Sequence, residues 1–215
     1  MTTQRPTPAP ALNRPLRCFI GLPLPEDMQA GLSRVAQRLA GALSSRISWT
    51  RPGNWHLTLK FLGGVDAGRV PELAEALRGV AFAPFALAVG RAGVFPAGGP
   101  PRALWAGLAL GETESARLAA KVDQALFPLG FAPEARPFFA HLTLGRVKAA
   151  APDDDWGLAE RALAGESWPK AGIGSFVLWQ SVLGPSGPQY SRLAEFPARM
   201  ARSDEPPQGR AGQKK

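Results

Sequence analysis

Two stretches decide the reading of this chain: NWHLTLKFLGG at 54–64 and FFAHLTLGRV at 138–147. The 215 residues contain two histidines, and each opens the tetrapeptide His-Leu-Thr-Leu, at 56–59 and again at 141–144. With 26 Leu and seven Thr in the chain, composition alone would place Leu-Thr-Leu after a given histidine roughly once in two thousand trials. Both histidines carry it. Side chains alternate along a strand, so histidine and threonine at i and i+2 share one face and the two leucines take the other. Leu57, Leu59, Leu142 and Leu144 are therefore expected core anchors, with His56, Thr58, His141 and Thr143 displayed opposite them.

The flanks repeat as well. RCFIGL at 17–22 reads as a strand, and the segment 25–43 places Leu32, Val35, Ala36, Leu39 and Leu43 at helical spacing. The first histidine strand follows, ended by Gly63 and Gly64, then a helix over about 69–80 and a strand at 85–95. A strand at 103–110, a helix with Leu118, Val122, Ala125 and Leu129 on one face, and the second histidine strand give the same order again. A further helix follows DDDWG, and GSFVLWQSVL with QYSRLAEF makes a closing strand pair around GPSGP. The separation of His56 and His141 is too long for a solenoid repeat. It predicts an α+β protein, bilobal and internally duplicated, with mostly antiparallel sheets flanked by helices and a cleft between the lobes.

Composition agrees with one folded unit. Hydrophobic residues make up 45% and charged residues 20%, as in an ordinary globular protein. Residues 1–15 and 201–215 are polar and Pro-containing and are expected to be disordered tails, leaving 16–200 as a single domain. The net charge of +8 favours an anionic partner, but the tails hold about half of it, which suits a phosphate ligand better than an extended duplex surface. One cysteine, Cys18, excludes an internal disulfide and reads as a buried apolar residue. With no run of about 18 apolar residues, a cytoplasmic protein without membrane contact is expected, and a monomer.

In-line displacement at phosphorus needs a base for the attacking oxygen and an acid for the departing one. Two histidines near neutral pH meet that demand, and two threonine hydroxyls can donate to the non-bridging oxygens. Neither a metal nor another cofactor is required. Arg146 is a candidate phosphate cation, although strict alternation from His141 puts it on the leucine face, so that a bulge must redirect it. Lys60 falls on the histidine face by the same count and is expected to reach solvent at the rim. Asp153, Asp154 and Asp155 fit a solvated helix start better than a cation site. Trp49, Trp55, Trp105 and Phe19 are candidate stacking surfaces for a base.

The paired motif, together with RCFIGLPLP at 17–25, NWHLTLKFLGGV at 54–65, FPAGGPPRALWAGL at 95–108, HLTLGR at 141–146 and QSVLGPSGPQYSRLAEFP at 180–197, resembles the two-histidine phosphoesterases. Within them it is similar to the LigT-like RNA 2′,3′-cyclic phosphodiesterases, also described as 2′-5′ RNA ligases. The resemblance implies metal-independent opening of a 2′,3′-cyclic phosphate at an RNA end, or in a related cyclic nucleotide, to a 2′-phosphate. It implies His56 as proton donor to the leaving 3′-oxygen and His141 as proton acceptor from water. Thr58, Thr143 and Arg146 would bind the phosphate, and reversal would join ends through a 2′-5′ bond. The family usually has proline before the second histidine, where this chain has Ala140. A relative acting on 2′-5′ oligonucleotides or an ADP-ribose cyclic phosphate would use the same residues. The alternative from another class is a non-catalytic module that captures RNA terminal phosphates.

Overall fold

The computed structural model describes residues 14–184 and 187–199. The stretches read as tails fall outside the described residues except for Arg14 and Pro15, as does the centre of the closing turn at 185–186. In chain order the elements are β1 (Leu16–Pro23), α1 (Glu26–Ala42), β2 (Arg46–Trp49), β3 (His56–Val65), α2 (Val70–Arg78), β4 (Phe85–Phe95), β5 (Ala103–Leu110), α3 (Glu112–Leu126), β6 (His141–Ala149), α4 (Leu158–Ala164), β7 (Ala171–Ile173), β8 (Ser175–Gly184) and β9 (Gly187–Pro197). The short strands β2 and β7 are additions to the reading from sequence, because four and three residues are too few to display a period. The second histidine strand begins at His141 itself, and β3 runs through Gly63 and Gly64 to Val65.

These strands form two antiparallel sheets, ordered β3-β1-β8-β9 and β2-β6-β5-β4-β7. Their membership is exchanged between the two halves of the chain. The first half ends in β4, which pairs with β5 of the second sheet, and the second half ends in the hairpin β8–β9, whose β8 pairs with β1 of the first. The helices cross over too: α1 packs with α4 and β6, while α3 packs on β3 and against α2. Each lobe is thus built from both repeats, and one contiguous apolar cluster includes Ile20, Leu57, Leu104, Leu142 and Phe176.

The four motif leucines are buried as alternation requires, at 0 to 4% exposure. Alternation then fails in both strands at the same place. Leu59 stands unopposed between the pairs Gly21–Thr58 and Ile20–Lys60, and Leu144 between Trp105–Thr143 and Leu104–Gly145. In each strand this extra residue inverts the face of the residues that follow it, in β3 as far as a second irregularity at Leu62. Arg146 therefore returns to the histidine face, whereas Lys60 leaves it. Instead of reaching solvent, Lys60 is 3% exposed, pairs with Asp123 on α3 at 2.5 Å and donates to the Ala132 carbonyl at 2.7 Å.

Two residues of the acidic triplet make hydrogen bonds, and Asp153 is exposed. Asp154 accepts from the backbone amides of Ser44 and Ser45 and ties the entry of β2 to the loop before α4. Asp155 accepts from the Gly157 amide and pairs with Arg161. Asp154 thus acts as a clip between two elements, whereas Asp155, exposed to solvent, caps the turn into α4 as the sequence suggested.

Removing one member of a buried ion pair leaves the other desolvated and unpaired. Asp123→Ala is expected to destabilise the fold by about 3 kcal/mol, and Lys60→Met by clearly less, since methionine keeps the volume without the charge. Urea midpoints check this; equal losses would mean that the pair contributes packing only.

Candidate active site

The cleft between the two sheets has a volume of about 1120 Å³. Its walls include His56, Thr58 and Phe61 from β3, Arg17 and Phe19 from β1, and Tyr190 from β9. Facing them are His141, Thr143, Arg146 and Lys148 from β6 and Trp105 from β5. All five site residues expected from sequence come together here, from two distant segments of the chain, because each motif strand turns its leucines toward its helices.

Both imidazoles are held in the same way. His56 Nδ1 lies 2.8 Å from the carbonyl of Asn54, and His141 Nδ1 lies 2.9 Å from the carbonyl of Phe139, each two residues upstream. A carbonyl only accepts, so Nδ1 carries the proton in both rings and each neutral ring keeps its lone pair on Nε2. The hydrogen bond from Nδ1 leaves Nε2 as the nitrogen available for proton transfer in both halves. Ala140 is fully buried, and the bond to Phe139 orients His141 as its counterpart orients His56; the residue where the family usually has proline leaves this geometry intact.

Aromatic rings complete each cage. The His56 ring lies 4.5 Å from Phe19 and meets Tyr190 edge-on at 5.1 Å. His141 meets Phe95 edge-on at 5.4 Å and Phe139 at 5.9 Å. Gly21 makes the first arrangement possible, since a Cβ there would come 2.8 Å from the Leu57 carbonyl oxygen and 3.4 Å from the His56 ring. Burial lowers the His56 pKa from 6.5 to about 4, against the opposing effect of its bond to Asn54, and positive charge on His141 acts in the lowering direction. In the open cleft His56 is therefore neutral at pH 7. Tyr190 is pushed above its ordinary value by burial, which Arg146 and Arg17 partly offset.

Among the described residues neither threonine hydroxyl of the motifs has a protein partner, so both are available as donors. The Thr143 carbonyl accepts from the Thr50 hydroxyl at 2.7 Å and the Leu144 carbonyl from the Thr50 amide at 2.9 Å, which stitches the loop after β2 to the strand. Of the expected stacking surfaces, Phe19 and Trp55 line the cleft but are 4% and 2% exposed. They are packing residues. Trp49 and Trp105 are partly exposed, and Trp105 stacks on Phe95 at 5.4 Å. The most exposed aromatic of the β3 wall is Phe61, at 61%. It occupies the position in β3 that Arg146 occupies in β6, five residues after the histidine and one past the buried residue that follows the bulge. Sequence reasoning missed Phe61, Tyr190, Arg17 and Lys148, because which face they take depends on bulges and on sheet membership. Tyr190 carried a signal as the single tyrosine, in a strand already read as such.

Among the described residues no group of three His, Cys, Asp or Glu is arranged to hold a metal ion, and no helix is long and apolar enough to cross a membrane.

A family model described as LigT like Phosphoesterase matches residues 22–105 and 111–190. An RNA 2′,3′-cyclic phosphodiesterase of Archaeoglobus fulgidus is 34% identical over 183 residues, which is 84% of this chain and 99% of that one. A protein of the same name from Methanothermobacter thermautotrophicus is 31% identical over 183 residues, 84% of this chain and 98% of the other. The crystal structure of TT0787 of Thermus thermophilus superposes with a TM-score of 0.71 at 28% identity, over 86% of this chain and 99% of that one. E. coli LigT, crystallised with 3′-AMP, shares the fold at a TM-score of 0.66 and 22% identity, with 86% and 98% covered.

The lowered pKa of His56 has a consequence for stability. Unfolded, its imidazole takes a proton near pH 6.5; folded, only near pH 4. Stability that is fully present above pH 6.5 is therefore lost as pH falls toward 4, by up to about 3 kcal/mol. His56→Gln should lack this loss, so that urea midpoints of the two proteins converge between pH 7 and pH 4. A constant difference across that range would contradict the burial of a neutral ring.

Proposed function

The chain belongs to the LigT-like phosphoesterase family, and from that premise we propose that it hydrolyses 2′,3′-cyclic phosphates at RNA ends to 2′-phosphates by acid–base catalysis between His56 and His141. One observation carries the reading. The two histidines of the chain offer unprotonated Nε2 atoms to a single cleft, each fixed through Nδ1 by an equivalent backbone bond. Such a pair suits in-line displacement, in which acid and base act on opposite sides of phosphorus.

His141 Nε2 takes a proton from water as the water oxygen bonds to phosphorus. His56, once protonated, gives its proton to the 3′-oxygen as that oxygen's bond to phosphorus breaks. Thr58 and Thr143 donate to the non-bridging oxygens, on which negative charge grows in the transition state, and Arg146 neutralises the phosphate. His56 is neutral in the open cleft, so it takes up the donor proton from solvent as the anionic substrate binds: a negative charge beside the ring favours the imidazolium. Phe61, on the opposite wall from Arg146, offers an apolar face to a base. With the 5′-hydroxyl of a second RNA end in place of water, the same transfers form a bond from that 5′-oxygen to phosphorus as the bond to the 3′-oxygen breaks, which joins the ends through a 2′-5′ linkage. We further assign residues 16–200 to one catalytic domain acting as a monomer in the cytoplasm.

The direct test is hydrolysis, in EDTA, of a short RNA ending in a 2′,3′-cyclic phosphate. Wild type should release a 2′-monophosphate product, and His56→Ala and His141→Ala should each lose turnover. RNA that binds without turnover would support a terminal-phosphate binding module; turnover restored only by added metal would overturn the mechanism. Thr58→Ala or Thr143→Ala should cost roughly 10- to 1000-fold in rate if each donates one transition-state hydrogen bond; less than threefold would make them packing residues.

The pH profile tests the donor. A bound phosphate raises the His56 pKa above its value in the free enzyme, so the alkaline limb of kcat should lie at higher pH than that of kcat/KM. Coincident limbs would contradict uptake of the donor proton on binding.

A further inference from the structure

The cleft is larger than its chemistry needs. A site for one cyclic phosphate uses the two histidines, the two threonines and Arg146, yet the walls carry three more cations: Arg17 on β1, Lys148 on β6 and Arg51 in the loop after β2. Among the described residues no Asp or Glu lines the cleft. Among them, too, none of these four cations is in an ion pair, whereas Arg34, Arg38, Lys60, Arg69, Arg78, Arg91, Arg161 and Arg192 all have carboxylate partners. Outside the cleft, seven of the thirteen described arginines are paired with a carboxylate. Here four cations stand together without acids, which raises the potential of a partly enclosed groove and favours an anion within it.

Their placement is ordered. Along β1 the cleft-facing positions run Gly21, Phe19, Arg17, with the His56 ring against the first two, so Arg17 comes one alternation, about 7 Å of strand, beyond the ring's neighbour Phe19. Along β6 the inversion at Leu144 brings Arg146 and then Lys148 to the cleft, and Lys148 lies the same about 7 Å beyond the phosphate cation. Arg17 and Tyr190 flank Ser181 of β8 from either side, and both line the same cleft as Arg146 of the other sheet. Each wall of the one cleft thus carries cations beyond its histidine. A 2′,3′-cyclic phosphate ends its strand, so every other phosphate of the same RNA lies upstream and must leave the site along one route.

We infer that Arg17 and Lys148, with Arg51 at the mouth, form a track for the backbone phosphates upstream of the reacting end, so that the enzyme acts on oligonucleotides in preference to cyclic mononucleotides. This rests on the proposed hydrolysis and specifies its substrate class. The contacts are to phosphate and independent of sequence, and they act by holding the strand while Arg146 serves the reacting group.

The experiment compares kcat/KM for a nucleoside 2′,3′-cyclic monophosphate with that for a dinucleotide, a trinucleotide and a pentanucleotide with the same cyclic end, in about 50 and 200 mM KCl, for wild type, Arg17→Gln, Lys148→Gln and the double variant. Wild type should gain at least about tenfold from mononucleotide to trinucleotide, mostly in KM, with the gain smaller at higher salt. The double variant should lose most of that gain, and the ratio of trinucleotide to mononucleotide should fall toward one. A wild-type rate that is independent of length, with the mononucleotide cleaved, would overturn the track while leaving the hydrolase in place. Failure to cleave any of the four would count against the hydrolase itself. A length dependence retained in the double variant would assign the upstream phosphates to other residues.

Discussion

Burial of Leu57, Leu59, Leu142 and Leu144 fixes where everything else in the cleft points. Each leucine removed from water stabilises its strand register by about 1.5–3 kcal/mol, and a slip of one residue would expose both leucines of a strand while burying a histidine and a threonine. That cost locks His56 with Thr58, and His141 with Thr143, onto the cleft face. The bond from each Nδ1 to the carbonyl two residues back then sets the ring, and both motifs begin at the first residue of their strand. Placing two imidazoles from opposite sheets is in this way a consequence of apolar burial followed by one local hydrogen bond, made twice.

The duplication is structural as well as sequential, and it extends to one irregularity. The same bulge interrupts both motif strands at the last leucine, so that two consecutive residues are buried and the next is delivered to the cleft. What the halves do with that delivered position differs: β6 presents Arg146 and β3 presents Phe61. Two-fold architecture sets an imidazole on either side of the cleft, and this departure from symmetry places an aromatic ring on one wall where the other carries an arginine. The exchange of β4 and β8 between sheets couples the lobes further, since neither sheet is complete without a strand from the other half.

Much of this was legible in the residues. Strand and helix order, the helical faces of α1 and α3, the leucine anchors and the four motif side chains all follow from periodicity, because burial writes its period directly into apolar spacing. The faces of Arg146 and Lys60 do not. Both lie beyond a bulge, and a bulge is an excess of one residue relative to a neighbouring strand, a relation that no single segment contains. Sheet membership is hidden for the same reason. Neither the pairing of β4 with β5 nor that of β8 with β1 can be read from either strand alone, and Tyr190 and Arg17 enter the site only through it. Phe19 and Trp55 show the converse limit: both lie at the cleft, but their rings are consumed by packing.

The central claim is that two histidines of identical tautomer take opposite protonation states once phosphate occupies the cleft. With only two histidines in the chain, 15N NMR of the imidazoles reads both directly. Without ligand, both should report the Nδ1–H tautomer near pH 7, with His56 titrating near pH 4. Saturation with a nucleoside 2′-monophosphate should raise the His56 pKa by at least about one unit. An Nε2–H tautomer at either ring, or a His56 titration unmoved by the phosphate, would contradict the account.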